Sequence, residues 1–156
     1  MTSLWQVLWA APAATGFAML FNVRKTALPL VALIAVLAMF ISKYSQHLGL
    51  NLIAADFIAA FAVGAIAYTL GPRIGEASPV FAFAPVIPLV PGSMFAKSFI
   101  TSFNTWLTHP GGSPEVAEKF IASVSTGLSA SAIIIALCLG AISPMLLLPR
   151  SRTPED

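Results

Sequence analysis

Between residues 79 and 108 the chain is apolar over the length of a membrane crossing, yet its centre reads Pro85-Val86-Ile87-Pro88-Leu89-Val90-Pro91-Gly92-Ser93. Hydrocarbon solvates neither free amides nor free carbonyls. A helix broken at membrane depth therefore persists only where its loosened backbone is buried in protein or lines a polar cavity. Discontinuous helices of this kind build the substrate sites of many secondary transporters. After the break come Ser93, Lys97, Thr101, Thr105 and Thr108, at intervals of four, four, four and three residues, which places them on one helical face. A polar stripe with one cation inside a membrane span points to a solute path.

The rest of the chain belongs in the same solvent. Of 156 residues, 58% are hydrophobic and 9% charged, where a soluble domain carries roughly 25% charged residues. The pattern predicts an all-α integral membrane protein, a single transmembrane bundle over residues 1–156 without a separate soluble domain. The net charge of +2 arises from basic residues scattered between apolar runs, which form no basic face; they read as topology determinants, and no nucleic-acid partner is expected. Cys138 is the single cysteine, which rules out a disulfide framework or thiolate metal site within one chain and leaves a small buried hydrophobe as its simplest role. Ala11-Pro12-Ala13 mimics a signal-peptidase site, but no Lys or Arg precedes the apolar region, so the segment is read as a helix that stays.

Five spans are expected, at about 3–21, 26–42, 51–70, 79–108 and 116–148, with the fourth broken at its Pro-x-x-Pro-x-x-Pro-Gly segment. Pro29 sits in the first turn of the second span, where its missing N–H costs little. Gly71-Pro72-Arg73 stops the third. Ser113, Pro114 and Glu115 provide an N-cap, a first helical residue and a first-turn acid for the fifth. At 1.5 Å per residue that helix is roughly 50 Å long, beyond the roughly 30 Å hydrocarbon core, so it either tilts or stands partly in the interface.

With the N-terminus outside, inner segments carry Arg24, Lys25, Arg73, Arg150 and Arg152, and outer segments carry Lys43 and Lys119. The bias favours N-out, C-in. Small residues at spacing four, Ala10/Ala14/Ala18, Ala60/Gly64 and Ser123/Gly127/Ser131, allow close helix approach in lipid. Trp5, Trp9, Trp106 and Tyr44 read as interfacial anchors. Phe17, Phe21, Phe81, Phe83, Phe95, Phe99 and Phe103 read as lipid-facing or packing residues. The broken helix has no second copy in the chain, and transporters commonly pair two related halves around the site; a partner chain or self-association is implied.

Gly16-Phe17-Ala18-Met19-Leu20-Phe21-Asn22 and Pro85-Val86-Ile87-Pro88-Leu89-Val90-Pro91-Gly92, in that order and spacing, resemble the C-terminal half of the threonine/serine exporter family. The resemblance runs from about Ala11 to Pro149. It implies export of small hydrophilic metabolites, threonine and serine or, in a two-subunit version, a dicarboxylate such as succinate. It also implies a separately encoded subunit carrying the N-terminal half, and residence in the inner membrane of a bacterium. Phe21 and Asn22 belong to its motif. Several members carry an aromatic residue a few positions after the Pro-Gly, where this chain has Ala96 and Lys97, a departure that bears on the substrate.

The expected substrate-binding set is Pro88, Pro91, Gly92, Ser93, Lys97, Ser98 and Thr101. Amides near Gly92 and Ser93, with Lys97, would hold a substrate carboxylate, assisted by the Ser98 and Thr101 hydroxyls; the helix dipole disfavours a cation near the break unless an anion joins it. The competing reading has Lys97 snorkel to the outer interface or pair with an acid elsewhere. Asp56, inside the third span, is the candidate for proton or ion coupling, with a place near the outer headgroups as its alternative. Asn22 reads as a cap of the first helix. His47 and His109 fall in loops and have no metal-ligand spacing, so no metal and no cofactor are expected. No phosphate-cradling loop, Cys/His pair or close carboxylate pair appears within the spans, so the chain is not expected to be an enzyme. The reading is an exporter subunit working by alternating access with a partner chain. The alternative is a non-transporting scaffold or assembly subunit.

Overall fold

The computed structural model describes residues 7–75, 78–108 and 113–147; the expectations for Trp5, His109, Arg150 and Arg152 lie outside the described residues. Among the described residues every regular element is helical: α1 (Ala10–Leu20), α2 (Leu28–His47), α3 (Leu52–Leu70), α4 (Ser78–Val86), α5 (Gly92–Thr108) and α6 (Pro114–Leu147), with short 3-10 turns at Lys25–Ala27, Pro72–Ile74 and Ile87–Leu89.

Three segments, Lys25–His47, Leu52–Leu70 and Pro114–Leu147, are long and apolar enough to cross a membrane, and Phe81–Leu89 with Gly92–Thr108 makes a fourth candidate if the two are one span. The pattern predicts five. The difference lies at the start: α1 has 11 residues, fewer than the about 20 a crossing needs, and the beginning of the first predicted span lies outside the described residues. Helix α2 runs past its predicted end at Ser42, so that His47, expected in a loop, is its last residue. Helix α6 holds 34 residues, which at 1.5 Å each gives roughly 51 Å. Its predicted start is reproduced: the Ser113 carbonyl accepts from the Val116 and Ala117 amides at 3.0 and 3.1 Å.

The helix ends follow from local chemistry. At the end of α1, Asn22 takes a φ of 57°. Its amide donates to the Met19 carbonyl at 3.1 Å and the Val23 amide to the Ala18 carbonyl at 3.0 Å. These two bonds define a Schellman cap, with buried Val23 supplying the apolar contact. The same pair of bonds closes α2 around Gly49 at φ 92°, from Gly49 to Gln46 and from Leu50 to Ser45. Two residues after Gly49, the Asn51 side chain accepts from the Ala54 amide at 2.8 Å and opens α3.

The described residues form two compact units, 7–75 and 78–89 with 136–147, and 90–108 with 113–135. In the first, α2 packs against α1, α3 and α4, and α4 also packs against α1 and α3. Lipid tails are as apolar as leucine, so these contacts rest on close van der Waals packing rather than on expulsion of water. Small residues make it close: Ala10, Ala14 and Ala18 of α1, Ala35 and Ala38 of α2, and Ala55, Ala59, Ala60 and Ala67 of α3 are buried. At two positions where α3 meets the C-terminal part of α6, only glycine fits. A Cβ on Gly64 would collide with the Ala141 carbonyl, and one on Gly140 would lie 2.7 Å from the Phe57 carbonyl and 2.9 Å from the Ala60 Cβ. Large side chains such as Leu33, Phe40, Phe61, Leu139 and Leu146 point outward, as a lipid-facing surface requires. Cys138, expected to be buried, is exposed on the same side of the final helix as Leu139 and Ile135 rather than in the core. Phe81, by contrast, points inward and is fully buried.

In the second unit, α5 packs on the first part of α6 through hydroxyls. The Ser98 Oγ donates to the Ser123 carbonyl at 2.5 Å and the Ser102 and Ser123 hydroxyls lie 2.6 Å apart. Gly127 leaves room for this, since a Cβ there would stand 2.6 Å from the Ser98 Oγ.

Candidate functional site

Among the described residues, each unit carries a group of polar side chains that bears on function. In the second unit it is the face of α5. The Gly92 amide donates to the Val90 carbonyl at 2.8 Å, and the Pro91 carbonyl accepts from Met94 and Phe95 at 3.0 and 3.1 Å, so Pro91 caps the helix and Gly92 is its first residue. Pro88 and Pro91 are half-buried, Gly92 and Ser93 exposed. By position, the Ser93 N–H is a first-turn donor left without an intrahelical acceptor.

Ser93, Lys97, Thr101 and Thr108 are exposed and Thr105 is half-buried, so the predicted stripe lies on the open side of α5, and exposed Asn104 extends it. Lys97 is the sixth residue of the helix, in its second turn, one turn above Ser93. Among the described residues no ion pair engages it. Ser98 lies elsewhere: it is buried, with its hydroxyl committed to the Ser123 carbonyl. An outward aromatic row, Phe99, Phe103 and Trp106, runs beside the stripe, with Phe99 and Phe103 stacked at 6.1 Å. One helix thus presents a polar strip and an aromatic strip to its surroundings. Hydrocarbon accommodates the second and penalises the first.

In the first unit the polar group is Asp56, the fifth residue of α3 and 3% exposed. Buried Ser42 of α2 donates to its Oδ1 at 2.5 Å, and the Gln46 Nε2 donates to the Ser42 Oγ at 2.9 Å. Lys43, next to Ser42 in the chain, is close enough for a Coulombic interaction with Asp56. The hairpin closed by Gly49 and Asn51 sets α2 and α3 side by side in the register that makes these contacts. Sequence reasoning singled out Asp56 but not Ser42 or Gln46. Their spacing of four on α2 was the available signal, and it becomes meaningful only once α2 is known to turn that face toward Asp56.

Phe21 and Asn22 are exposed. The left-handed backbone at Asn22 gives it a structural part of its own. Asn22→Gly is expected to keep the fold at equal or slightly higher stability. Asn22→Val, which introduces a β-branched residue at positive φ, should cost about 1–2 kcal/mol, readable as a lower midpoint in detergent-mediated unfolding. If Asn22→Gly abolished solute movement in a protein of unchanged stability, the side chain would have a role beyond the cap.

A family model described as Threonine/Serine exporter, ThrE, matches residues 6–147. A Haemophilus influenzae protein described as uncharacterized is 31% identical over 137 residues, which are 87% of this chain and 46% of that protein. The chain therefore spans about half the length of this relative. No solved structure matches.

Proposed function

The chain belongs to the threonine/serine exporter family, a family of membrane transport proteins, and from that premise we propose that it is one part of a secondary-active exporter of small hydrophilic metabolites. The substrate is threonine and serine, or a dicarboxylate such as succinate. The protein acts by alternating access together with a subunit that carries the other half of the transporter. It resides in the inner membrane of a bacterium with the N-terminus outside. In this reading α1 and the residues before it form the first of five spans, and α4 with α5 forms the broken fourth. No catalytic chemistry is assigned to the chain.

The observation that carries the proposal is the open polar face of α5. Ser93, Lys97 and Thr101 are exposed on a helix of a membrane protein; such groups belong against an aqueous path or a polar partner, not against acyl chains. The Ser93 amide, the Lys97 ammonium and the Thr101 hydroxyl are three donors on successive turns. Together they suit a carboxylate, which every proposed substrate carries. Pro88, Pro91 and Gly92 act through the backbone by ending one helix and beginning the next. Ser98 supports the face from behind by tying α5 to α6.

The test is efflux of labelled threonine, serine and succinate from cells lacking their own exporters and expressing this chain with and without a subunit that carries the other half. Efflux that requires both chains is expected. If no solute moves under either condition, the scaffold reading replaces this one.

A further inference from the structure

Asp56 is buried in the first unit, within the apolar helix α3. A carboxyl group inside an apolar helix is expensive, and such groups are commonly proton or ion relays. Here it is paired with a hydroxyl donor, itself held by a side-chain amide, rather than with an opposite charge in direct contact. Ser42 donates to Oδ1 at 2.5 Å and Gln46 donates to Ser42 at 2.9 Å. Ser42 and Asp56 are buried, Gln46 is half-buried, and His47, at the end of α2, is exposed. The contacts therefore run in order from a buried carboxyl toward the exposed α2–α3 turn. Asp56 lies about 6 Å along α3 from its first residue, close to the exposed α2–α3 turn.

We propose that Asp56, Ser42 and Gln46 form a proton-exchange site, in which the Asp56 carboxyl loads and unloads the proton that drives export. The use in export rests on the function proposed above; the site itself rests on the geometry. On loading, a hydronium gives its proton to an Asp56 oxygen, leaving water and a neutral carboxylic acid, and unloading is the reverse. The neutral form carries no charge through the membrane interior, which removes the main electrostatic penalty on moving α3. Ser42 is a positioning residue: its hydroxyl donates to the carboxylate and can turn to accept from the acid, while Gln46 holds the hydroxyl in place. With the N-terminus outside, the α2–α3 turn faces outward, the side from which an exporter exchanging solute for protons must load.

The titratable surroundings are few. The elements packed against α3 are α2, α4, the Pro72–Ile74 turn and the C-terminal part of α6. Among the described residues α2 contributes Lys43, Tyr44 and His47, α4 contributes none, α6 contributes only Cys138 over this stretch, and Arg73 stands at the opposite end of α3. His47, the last residue of α2, stands next to this cluster in the chain, so its variant is the control against which the Asp56 signal is judged.

The experiment is a pH titration of the full chain in lipid by infrared difference spectroscopy, following the carbonyl stretch of protonated carboxyl groups. It is run on the wild type, Asp56→Asn, Asp56→Glu, Ser42→Ala and His47→Gln. The expected result is a band lost in Asp56→Asn, retained but moved in Asp56→Glu, displaced in its pH midpoint in Ser42→Ala and unchanged in His47→Gln. Superimposable wild-type and Asp56→Asn spectra from protein with the same helix content would overturn the site. In reconstituted transport, loss of gradient-driven efflux in Asp56→Asn with solute exchange retained supports the coupling role, and gradient-driven efflux at the wild-type level overturns it. If the wild type moves no solute, it is the exporter reading that fails; the infrared spectra decide the protonation site independently.

Discussion

Leucine at position 64 is expected to prevent the first unit from assembling, the largest stability effect anticipated for any single replacement in this chain. The position is buried in α3, and even the first carbon of a side chain would collide with the Ala141 carbonyl. The obstacle is backbone inside a helix, which cannot turn aside as the tip of a flexible side chain can. Overpacking usually costs about 1–3 kcal/mol and occasionally more, and this geometry belongs at the upper end. Gly64→Ala should already lower the midpoint of unfolding in mixed micelles, and Gly64→Leu should leave little monodisperse protein on size exclusion in mild detergent. Gly16 provides the control. It lies within α1, and a Cβ added there would meet nothing within 4 Å, so Gly16→Ala should be neutral or gain up to about 1 kcal/mol from helix propensity. Equal behaviour of Gly64→Leu and the wild type would mean that α3 and α6 do not cross as described.

Removing the charge of Lys97 is expected to have the largest effect on transport. The side chain is exposed, so Lys97→Met should leave the fold intact and change only what the α5 face can hold. A hydrogen bond to a charged group contributes about 1.5–3 kcal/mol, which corresponds to a rise of roughly 10- to 150-fold in the half-saturating concentration of a carboxylate substrate. Lys97→Arg, which keeps the charge, should recover part of the loss. Thr101→Val removes a neutral hydroxyl worth about 0.5–1.5 kcal/mol and should cost less. The dicarboxylate offers a further comparison: a second carboxylate makes succinate more dependent on a cation than threonine, whose ammonium group opposes one. Unchanged kinetics in Lys97→Met for every substrate would discard the anion site while leaving the exporter reading in place.

Different kinds of information decided different parts of this protein. Membrane residence, the all-helical class and the polar periodicity of α5 are sums or spacings along the chain. Hydropathy and the helical repeat act locally, and a run of apolar residues meets lipid whatever its neighbours are. The Asn22 cap was legible for the same reason: a Schellman end needs only the residues beside it. The five-span count went further than local signals allow, because α1 extends over 11 described residues and apolar character alone does not set where a helix begins.

What the tertiary structure decided is which side chains meet. Ser98 and Thr101 are three residues apart on one helix, yet the first is bound to the Ser123 carbonyl and the second lies open. Asp56 was visible as a charge out of place, whereas Ser42 and Gln46 looked like two more polar residues near a helix end until α2 and α3 were set side by side. Amino-acid order determined the solvent each segment requires and the shape of its ends. The pairing of helices, and the rotation of each about its own axis, depends on close packing between residues distant in the chain, such as Gly64 against Ala141, and only the folded arrangement selects among the many rotations that bury equally apolar faces.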